Sequence, residues 1–270
     1  MEFINGVLNY TGNKFGILHK IVDEMDFTKK QFIDLFTGSF VVGSNVVDKY
    51  DKVVANDIIS DLIGIHKGLI ESDDIIEQTK LLCPDKDDQE GYIQLRKNYN
   101  DNNSPSGLFA LMLSCTNNMI RYNLKGEVNQ SFGRRSWNDN TTKKVNNFIN
   151  HIRQYKDKIK FISSDFSNII VSEPSMVYID SPYSNSEAGY NSIWRQSDDI
   201  RLYNYCKELD KNGSSFMVSG VLTHDGKSCL LLDKLIQDGY RYKELDYNYN
   251  KVSRKGNKET TEIIIMNYGG

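Results

Sequence analysis

The sequence is short of the residues that staple or punctuate a chain: four cysteines and four prolines in 270 residues. Cys83, Cys115, Cys206 and Cys229 lie far apart and form no Cys-x-x-Cys pair. A zinc site or disulfide framework is therefore not expected, and buried, inert thiols are. No apolar run approaches the roughly 18 residues that span a bilayer. Met1 to Asn9 lack the charged-then-apolar pattern of a secretory signal, so the chain is expected in the cytosol. An excess of one charge is lacking too. Lys and Arg number 33 against 36 Asp and Glu, a net charge of −3, which by itself argues against a simple polyanion binder. Neither GxGxxG nor GxxxxGK[ST] occurs, and there is no internal repeat or low-complexity tail. What is present is an ordinary globular composition, 39% hydrophobic and 26% charged. The length suits one large α/β domain or a domain carrying an insertion.

Short apolar, β-branched runs predict buried strands at Phe32–Phe36, Lys52–Asn56, Ile159–Ile162, Met176–Asp180 and Ser215–Val218, with a last one at Glu262–Met266. Helical patterns fit between many of them, at Gly16–Glu24, Asp198–Leu209 and Cys229–Gln237. Strands alternating with helices predict an α/β fold, a mostly parallel sheet covered on both faces. About a hundred residues of different character, rich in Asn, Asp, Lys and Tyr, separate the second and third strands. They predict an inserted, mostly helical domain over 61–154, leaving 1–60 and 155–270 as the main domain. Within it, Asn98 to Pro105 reads as loop.

The near-neutral net charge hides a polar distribution. Asp51 to Glu90 holds 11 acidic and 4 basic residues, and Met119 to Lys160 holds 10 basic and 3 acidic. A basic stretch of this kind is either a polyanion footprint or a solvated helix face.

Two places carry chemistry. Ligands of open α/β sheets bind outside the carboxyl ends of the strands. The first strand ends in Asp34-Leu35-Phe36-Thr37-Gly38-Ser39 and the second in Asn56-Asp57. Gly38 lets backbone approach a ligand, and an acid about 20 residues beyond it suits a pair of ribose hydroxyls. Without a phosphate fingerprint, a nucleoside cofactor lacking pyrophosphate fits better than NAD or ATP. Taken singly, Gly38 also reads as a plain strand-to-helix turn and Asp57 as a helix N-cap. The second place is Asp180-Ser181-Pro182-Tyr183, after the apolar run Met176–Ile179. It gathers a carboxylate, backbone carbonyls, a fixed φ and an aromatic face. The exocyclic amine of adenine is a poor nucleophile. Acceptors for both its N–H groups favour a pyramidal nitrogen and stabilise the positive charge that grows on it, while an aromatic ring can stack on an extruded base. An ordinary β-turn has the same composition.

Together these pieces resemble the Dam-type DNA adenine N6-methyltransferases, including the phage members, along nearly the whole chain. Tyr10-Thr11-Gly12-Asn13-Lys14 is similar to the family's opening S-adenosylmethionine motif, and Asp34 to Gly38 to its FxGxG motif. Asn56-Asp57 matches its ribose-binding acid, and Ser164-Asp165-Phe166 the segment that holds the cofactor's adenine. Asp180-Ser181-Pro182-Tyr183 resembles the catalytic DPPY. Asn117 to Gly126 and Phe132-Gly133-Arg134-Arg135 resemble the target-recognition hairpin of GATC-specific members, and Thr261 to Asn267 the final strand.

The resemblance implies a Rossmann-like methyltransferase sheet with an inserted target-recognition domain. It implies methyl transfer from S-adenosylmethionine, leaving S-adenosylhomocysteine, to the N6 amine of a flipped-out adenine, with GATC as the expected site. Asp180 and the Ser181 carbonyl would hold the amine on the turn that Pro182 fixes, and Tyr183 would stack on the base. Tyr10, Lys14, Asp34, Phe36, Gly38, Ser39, Asp57, Asp165, Phe166 and Asp180 would form the cofactor site. Asn118 and Met119 are candidates to fill the space of the flipped base. Arg121 and Arg134 are candidates for base edges, Asn123 lies among the DNA contacts, and Lys125, Arg135, Lys143 and Lys144 suit phosphates. Arg153, Lys156 and Lys158 fit a solvated face better. Double-stranded DNA is the expected partner, with no membrane and no metal, because the sulfonium is already an activated electrophile. A monomer or weak dimer in a prokaryotic or phage-infected cell is implied. An endonuclease partner is left open.

Three departures stand out. Ser181 takes the place of the family's proline, but keeps the backbone carbonyl and loses only a rigid φ. Ser39-Phe40 stands where FxGxG has its second glycine. Gln130-Ser131 precedes Phe132 where many members have proline. The alternatives are a DNA-binding homologue with impaired catalysis, favoured by Ser181 alone, and a cytosine-N4 methyltransferase. Those enzymes open the motif with Ser, and this chain has Asp180.

Overall fold

The computed structural model describes residues 3–10, 12–118, 120–123, 125–182, 194–224, 227–245 and 260–269. In chain order the elements are α1 (Leu18–Asp23), β1 (Gln31–Asp34), α2 (Val41–Val46), β2 (Lys52–Asp57), α3 (Ser60–Glu71), α4 (Asp74–Leu82), α5 (Gln89–Asn102), α6 (Pro105–Ser114) and α7 (Asp139–Ile152). They continue with β3 (Ile159–Ser163), β4 (Met176–Ile179), α8 (Gln196–Lys211), β5 (Ser215–His224), β6 (Lys227–Ser228), α9 (Leu230–Gln237), β7 (Arg241–Leu245) and β8 (Thr260–Met266). The sheet runs β3-β2-β1-β4-β5-β8-β7, with β6 paired to β5. The first five strands are parallel, and β8 enters antiparallel between β5 and β7. This is the expected α/β, Rossmann-like sheet.

The period of two along each strand divides the core. Phe32, Val53, Tyr178, Met217 and Ile264 face one layer, with α1 to α7. Ile33, Val177, Ile179, Phe216 and Ile265 face the other, with α8 and α9. Burial on both faces explains why the central strands read as continuous apolar runs.

Parallel register aligns the strand ends. Phe32 lies opposite both Val53 and Met176, and Asp57 opposite Ser163. Asp34, Asp57 and Asp180 are thereby delivered to one edge. The chain order reverses between β1 and β4, where open sheets place their ligand crevice.

Residues 98–105 differ from expectation. Helix α5 runs on to Asn102, and only Asn103 and Ser104 interrupt it before α6. Tertiary contacts override the weak propensity of the asparagines: Tyr99 is buried, and the Asn100 amide bonds both the N–H and the C=O of Val128 at 2.8 and 3.0 Å. Ser104 then caps α6 through the Gly107 N–H, with Pro105 in its first turn.

Candidate active site

The residues expected to hold the cofactor line one cavity of about 550 Å³, within the roughly 300–1,000 Å³ usual for ligand pockets. At its base, the turn after β1 is pinned from three sides. The Gly38 N–H donates to Asp57 Oδ2 at 3.0 Å, its carbonyl meets His66 Nε2 at 2.8 Å, and the Thr37 N–H donates to the Asn56 carbonyl at 2.8 Å. Gly38 has φ +48°, and a Cβ there would lie 3.2 Å from the Tyr10 ring, so any other residue would be strained and would crowd that ring. Asp57 also accepts from the Ile59 N–H at 3.0 Å. Burial raises its carboxyl above the ordinary range against these hydrogen bonds. Asp34, at the end of β1, accepts from the Gly43 N–H at 3.3 Å. Burial pushes its carboxyl well up, and nearby Asp180 and Asp57 add to the effect.

The missing second glycine of this turn has a structural resolution. Phe40 adopts φ +58°, the left-handed conformation that a glycine would take without strain and that costs other residues about 1–2 kcal/mol. Its fully buried ring packs against Phe161 and His66, with centroids 5.3 and 5.7 Å away. Gly43 makes room for it, since a Cβ at 43 would sit 2.3 Å from the ring. The small residue has in effect moved three positions along the chain.

The opposite wall is aromatic. Phe166 lies 5.6 Å from Phe36 and 5.8 Å from Trp194, and the Arg201 guanidinium stands 4.9 Å over its ring. Asp165 Oδ1 accepts from the Ser167 N–H, the Ser167 hydroxyl and Arg201 at 2.9, 2.6 and 2.7 Å. Burial opposes its charge, but these donors hold the carboxyl below its ordinary range. Asn56 bridges the Leu35 and Ser164 carbonyls through Nδ2, at 3.1 Å each. Its buried Oδ1 has no partner among the described residues. An unpaired acceptor on a cavity-lining residue, carboxylates and an aromatic wall match a nucleoside with hydroxyls and an amine. The site therefore fits S-adenosylmethionine.

Asp180 follows β4 at the third wall, with Ser181 and Pro182. Tyr183 lies outside the described residues. Lys14 is 5% exposed, and its ammonium lies 2.8 Å from both Asp180 oxygens and 3.0 Å from the Gly12 carbonyl. Burial opposes the lysine's charge. Asp180, with Tyr178 and Glu262 beside it, more than offsets that and holds Lys14 above its ordinary range. The Ser219 hydroxyl donates to Asp180 Oδ1 at 3.2 Å and lies 2.7 Å from the Tyr178 hydroxyl. Lys14, expected to help form the cofactor pocket, thus sits directly on the carboxylate expected to hold the amine. Glu262, Trp194 and Arg201 were not singled out from sequence. Glu262 alone left a signal there, as a single carboxylate before Ile263-Ile264-Ile265-Met266.

The basic stretch divides. Arg121 to Asn129 form a short hairpin closed by a Tyr122–Val128 bridge and an Asn129 N–H to Arg121 carbonyl bond of 3.0 Å. Asn123 builds its turn, accepting the Lys125 and Glu127 N–H groups at 2.9 and 3.0 Å. Asn118 is turned inward: it is buried and donates to the Met112 and Leu113 carbonyls at 2.9 and 3.1 Å, while Arg135 donates to its Oδ1. Met119 lies outside the described residues. Arg121, Lys125, Arg134, Arg135 and Lys143 are exposed, and among the described residues no carboxylate pairs with any of them. Arg153 instead binds Asp73 and the Leu69 and Ser72 carbonyls. Ile120, Tyr122 and Gly126 also line the cavity, which therefore reaches from the strand ends to the hairpin. Among the described residues, no helix is long and apolar enough to cross a membrane, and no group of three His, Cys, Asp or Glu could hold a metal ion.

The chain is similar to the modification methylase StsI of Streptococcus sanguinis, 28% identical over 99% of this chain and 43% of that protein. It is likewise similar to the type II methyltransferase M.FokI of Planomicrobium okeanokoites, 28% identical over the same shares. The type II methyltransferase M.MjaIII of Methanocaldococcus jannaschii is 26% identical over 97% of this chain and 98% of its own length. The chain thus spans less than half the length of the StsI and FokI methylases. The family model of D12 class N6 adenine-specific DNA methyltransferases matches residues 10–251, and the chain belongs to that family.

Proposed function

We propose that the chain methylates the N6 amine of adenine in double-stranded DNA, within GATC, using S-adenosylmethionine. The observation that carries this reading is the shared cavity: Asp180, the crevice of Gly38 and Asp57, and the hairpin residues Tyr122 and Gly126 all open into it. The cofactor is S-adenosylmethionine. Bound there, it supplies a methyl group on a positively charged sulfur, an electrophile that needs no further activation.

The chain's own residues do the rest. The Gly38 turn and Asp57 receive the ribose, and the Phe36–Phe166–Trp194 wall with Asp165 receives the adenine ring. The target adenine is flipped out of the duplex. Its amine donates to the Asp180 carboxylate and to the Ser181 carbonyl, which favours a pyramidal nitrogen and stabilises the charge that grows on it. Tyr183 stacks on the base, and the turn that Pro182 fixes aligns the nitrogen with the methyl group. Serine at 181 keeps the carbonyl this chemistry needs.

Residues 1–60 and 155–270 form the catalytic part and residues 61–154 the recognition part. The boundary falls at the start of α3, which also packs on β2 and β3. Arg121 and Arg134 read base edges, and Lys125, Arg135 and Lys143 meet phosphates; Lys144 is instead half-buried, its ammonium 2.9 Å from Asn9 Oδ1. Met119 fills the space of the flipped base, while Asn118 and Asn123 shape the backbone that presents these groups. The protein acts as a monomer or weak dimer on DNA in the cytoplasm of a prokaryotic or phage-infected cell. Relatives named as a modification methylase and as type II methyltransferases support a DNA-modification role.

The test is transfer of labelled methyl groups to two otherwise identical duplexes, one with GATC and one scrambled. Incorporation into the GATC duplex alone, recovered as N6-methyladenine, is expected. Equal incorporation into both would remove the GATC assignment. None in either, with DNA binding intact, would remove the enzymatic one.

A further inference from the structure

We propose that Glu262 is a positioning residue for the methyl-transfer site, acting through Lys14 on the charge that Asp180 presents to the target amine. The inference rests on the function proposed above. Glu262 lies in β8 just before Ile263 to Met266, all fully buried, and is itself 3% exposed. A carboxylate in such surroundings is costly unless compensated. Lys14 Nζ stands 3.8 Å from Glu262 and 2.8 Å from each Asp180 oxygen. One ammonium is therefore shared between a carboxylate that lines the cavity and one behind it. The Tyr178 hydroxyl joins the group through Ser219. Asp34 lies near enough for its charge and that of Asp180 to affect each other.

The need for Glu262 follows from the reaction. Lys14 and Asp180 alone would form a neutral pair, with the ammonium drawing on both acceptor oxygens and repelling the positive charge that develops on the target nitrogen. A second carboxylate behind the lysine gives the trio a net negative charge. It also draws the ammonium's field away from Asp180. Lys14 then holds the Asp180 carboxylate in place without cancelling it.

The full chain is compared with Glu262→Gln, Glu262→Asp, Lys14→Met and the Lys14→Met/Glu262→Gln double variant, by thermal melting and by methyl transfer to duplex DNA. In melting, Lys14→Met removes the cation that the two carboxylates share. The double variant should therefore recover part of the lost melting temperature. Shifts that simply add would show that Glu262 and Lys14 do not interact and would overturn the proposal. In kinetics, Glu262→Gln should lower kcat roughly tenfold with KM for cofactor and DNA unchanged, and Glu262→Asp should restore part of it. A Gln variant with the parent kcat, or an Asp variant no better than Gln, would overturn the proposal. If Glu262→Gln fails to fold, Lys14→Met against the double variant still decides on melting alone. If the parent chain methylates no duplex, the proposed function fails, and the melting comparison still decides whether the two residues are coupled.

Discussion

The strand-end crevice and the hairpin of residues 121–129 treat their polar groups in opposite ways. In the crevice, the carboxylates and the turn backbone are already paired, and Asn56 Oδ1 is left to a ligand. Asp57 holds two backbone N–H groups, His66 holds the Gly38 carbonyl, and Lys14 holds Asp180. On the hairpin and the segment after it, Arg121, Lys125 and Arg134 stand in solvent with no carboxylate partner among the described residues. The two tasks differ physically. Charge that develops during a reaction is best met by groups that need not reorganise. A phosphate backbone is met by cations that give up counterions and water on contact. Pre-pairing helps the first task and would weaken the second.

The sharpest way to break the contrast is to empty the centre of the crevice. Asp180→Ala should lower methyl transfer by about a thousandfold or more, far beyond any loss of cofactor affinity in equilibrium dialysis. A variant that keeps full turnover would sink the assignment of the acceptor. Next comes the packing that holds the Gly38 turn. Gly43→Val would drive a side chain into the Phe40 ring, 2.3 Å from the Cβ position. It should cost about 3 kcal/mol of stability in urea denaturation. A variant as stable as the parent would show that the Phe40 ring has another place to go.

The same turn predicts an acid sensitivity with a defined sign. Burial lowers His66 to about 4, against the opposing hydrogen bond to the Gly38 carbonyl. Below pH 6.5 the unfolded chain takes up a proton that the folded chain refuses until near pH 4. Stability is therefore lost as pH falls through that window, by up to about 3 kcal/mol. Raised carboxyls such as Asp57 act in the opposite direction in acid, and lowered ones such as Asp165 in the same direction. The histidine's share is thus read by difference. His66→Gln removes the titration and keeps a donor, so denaturation from pH 6.5 to 4 should increasingly favour the variant over the parent. Parallel curves would exclude the histidine.

The architecture was legible where burial writes itself into sequence. The central strands are apolar on both faces, and the acids at their ends stand out against them. Strand β7 left no such trace: Arg241 to Glu244 are exposed, and their strand conformation comes from pairing with β8. Helix α5 was hidden because Asn100 is held by Val128, a contact no local pattern reveals. The acids of the crevice could be named singly. Their partners could not, since Lys14 and Asp180 are 166 residues apart and meet only through the sheet.

The hairpin side of the comparison can be sharpened by separating reading from holding. Arg134 follows Gly133, whose N–H donates to the Ser114 carbonyl at 2.8 Å and whose Cβ position lies 2.4 Å from the Cys115 carbonyl oxygen. The backbone there is seated tightly on the end of α6, so an exposed guanidinium departs from a fixed point. That suits a bidentate base contact, and Arg134→Ala should cost about 1–3 kcal/mol at one base pair of the site and little elsewhere. Lys125 lies in the turn between Asn123 and Gly126. A lone ammonium at a loop tip meets a phosphate without defining a base. Lys125→Ala should therefore weaken binding to all duplexes alike and reduce the dependence of log K on log salt by about one unit. The two variants are distinguished by binding assays on matched and mismatched duplexes over a salt series. A uniform loss for Arg134→Ala with a sequence-dependent one for Lys125→Ala would exchange their roles. The turn of the hairpin would then read the bases, and the segment docked on α6 would hold the backbone.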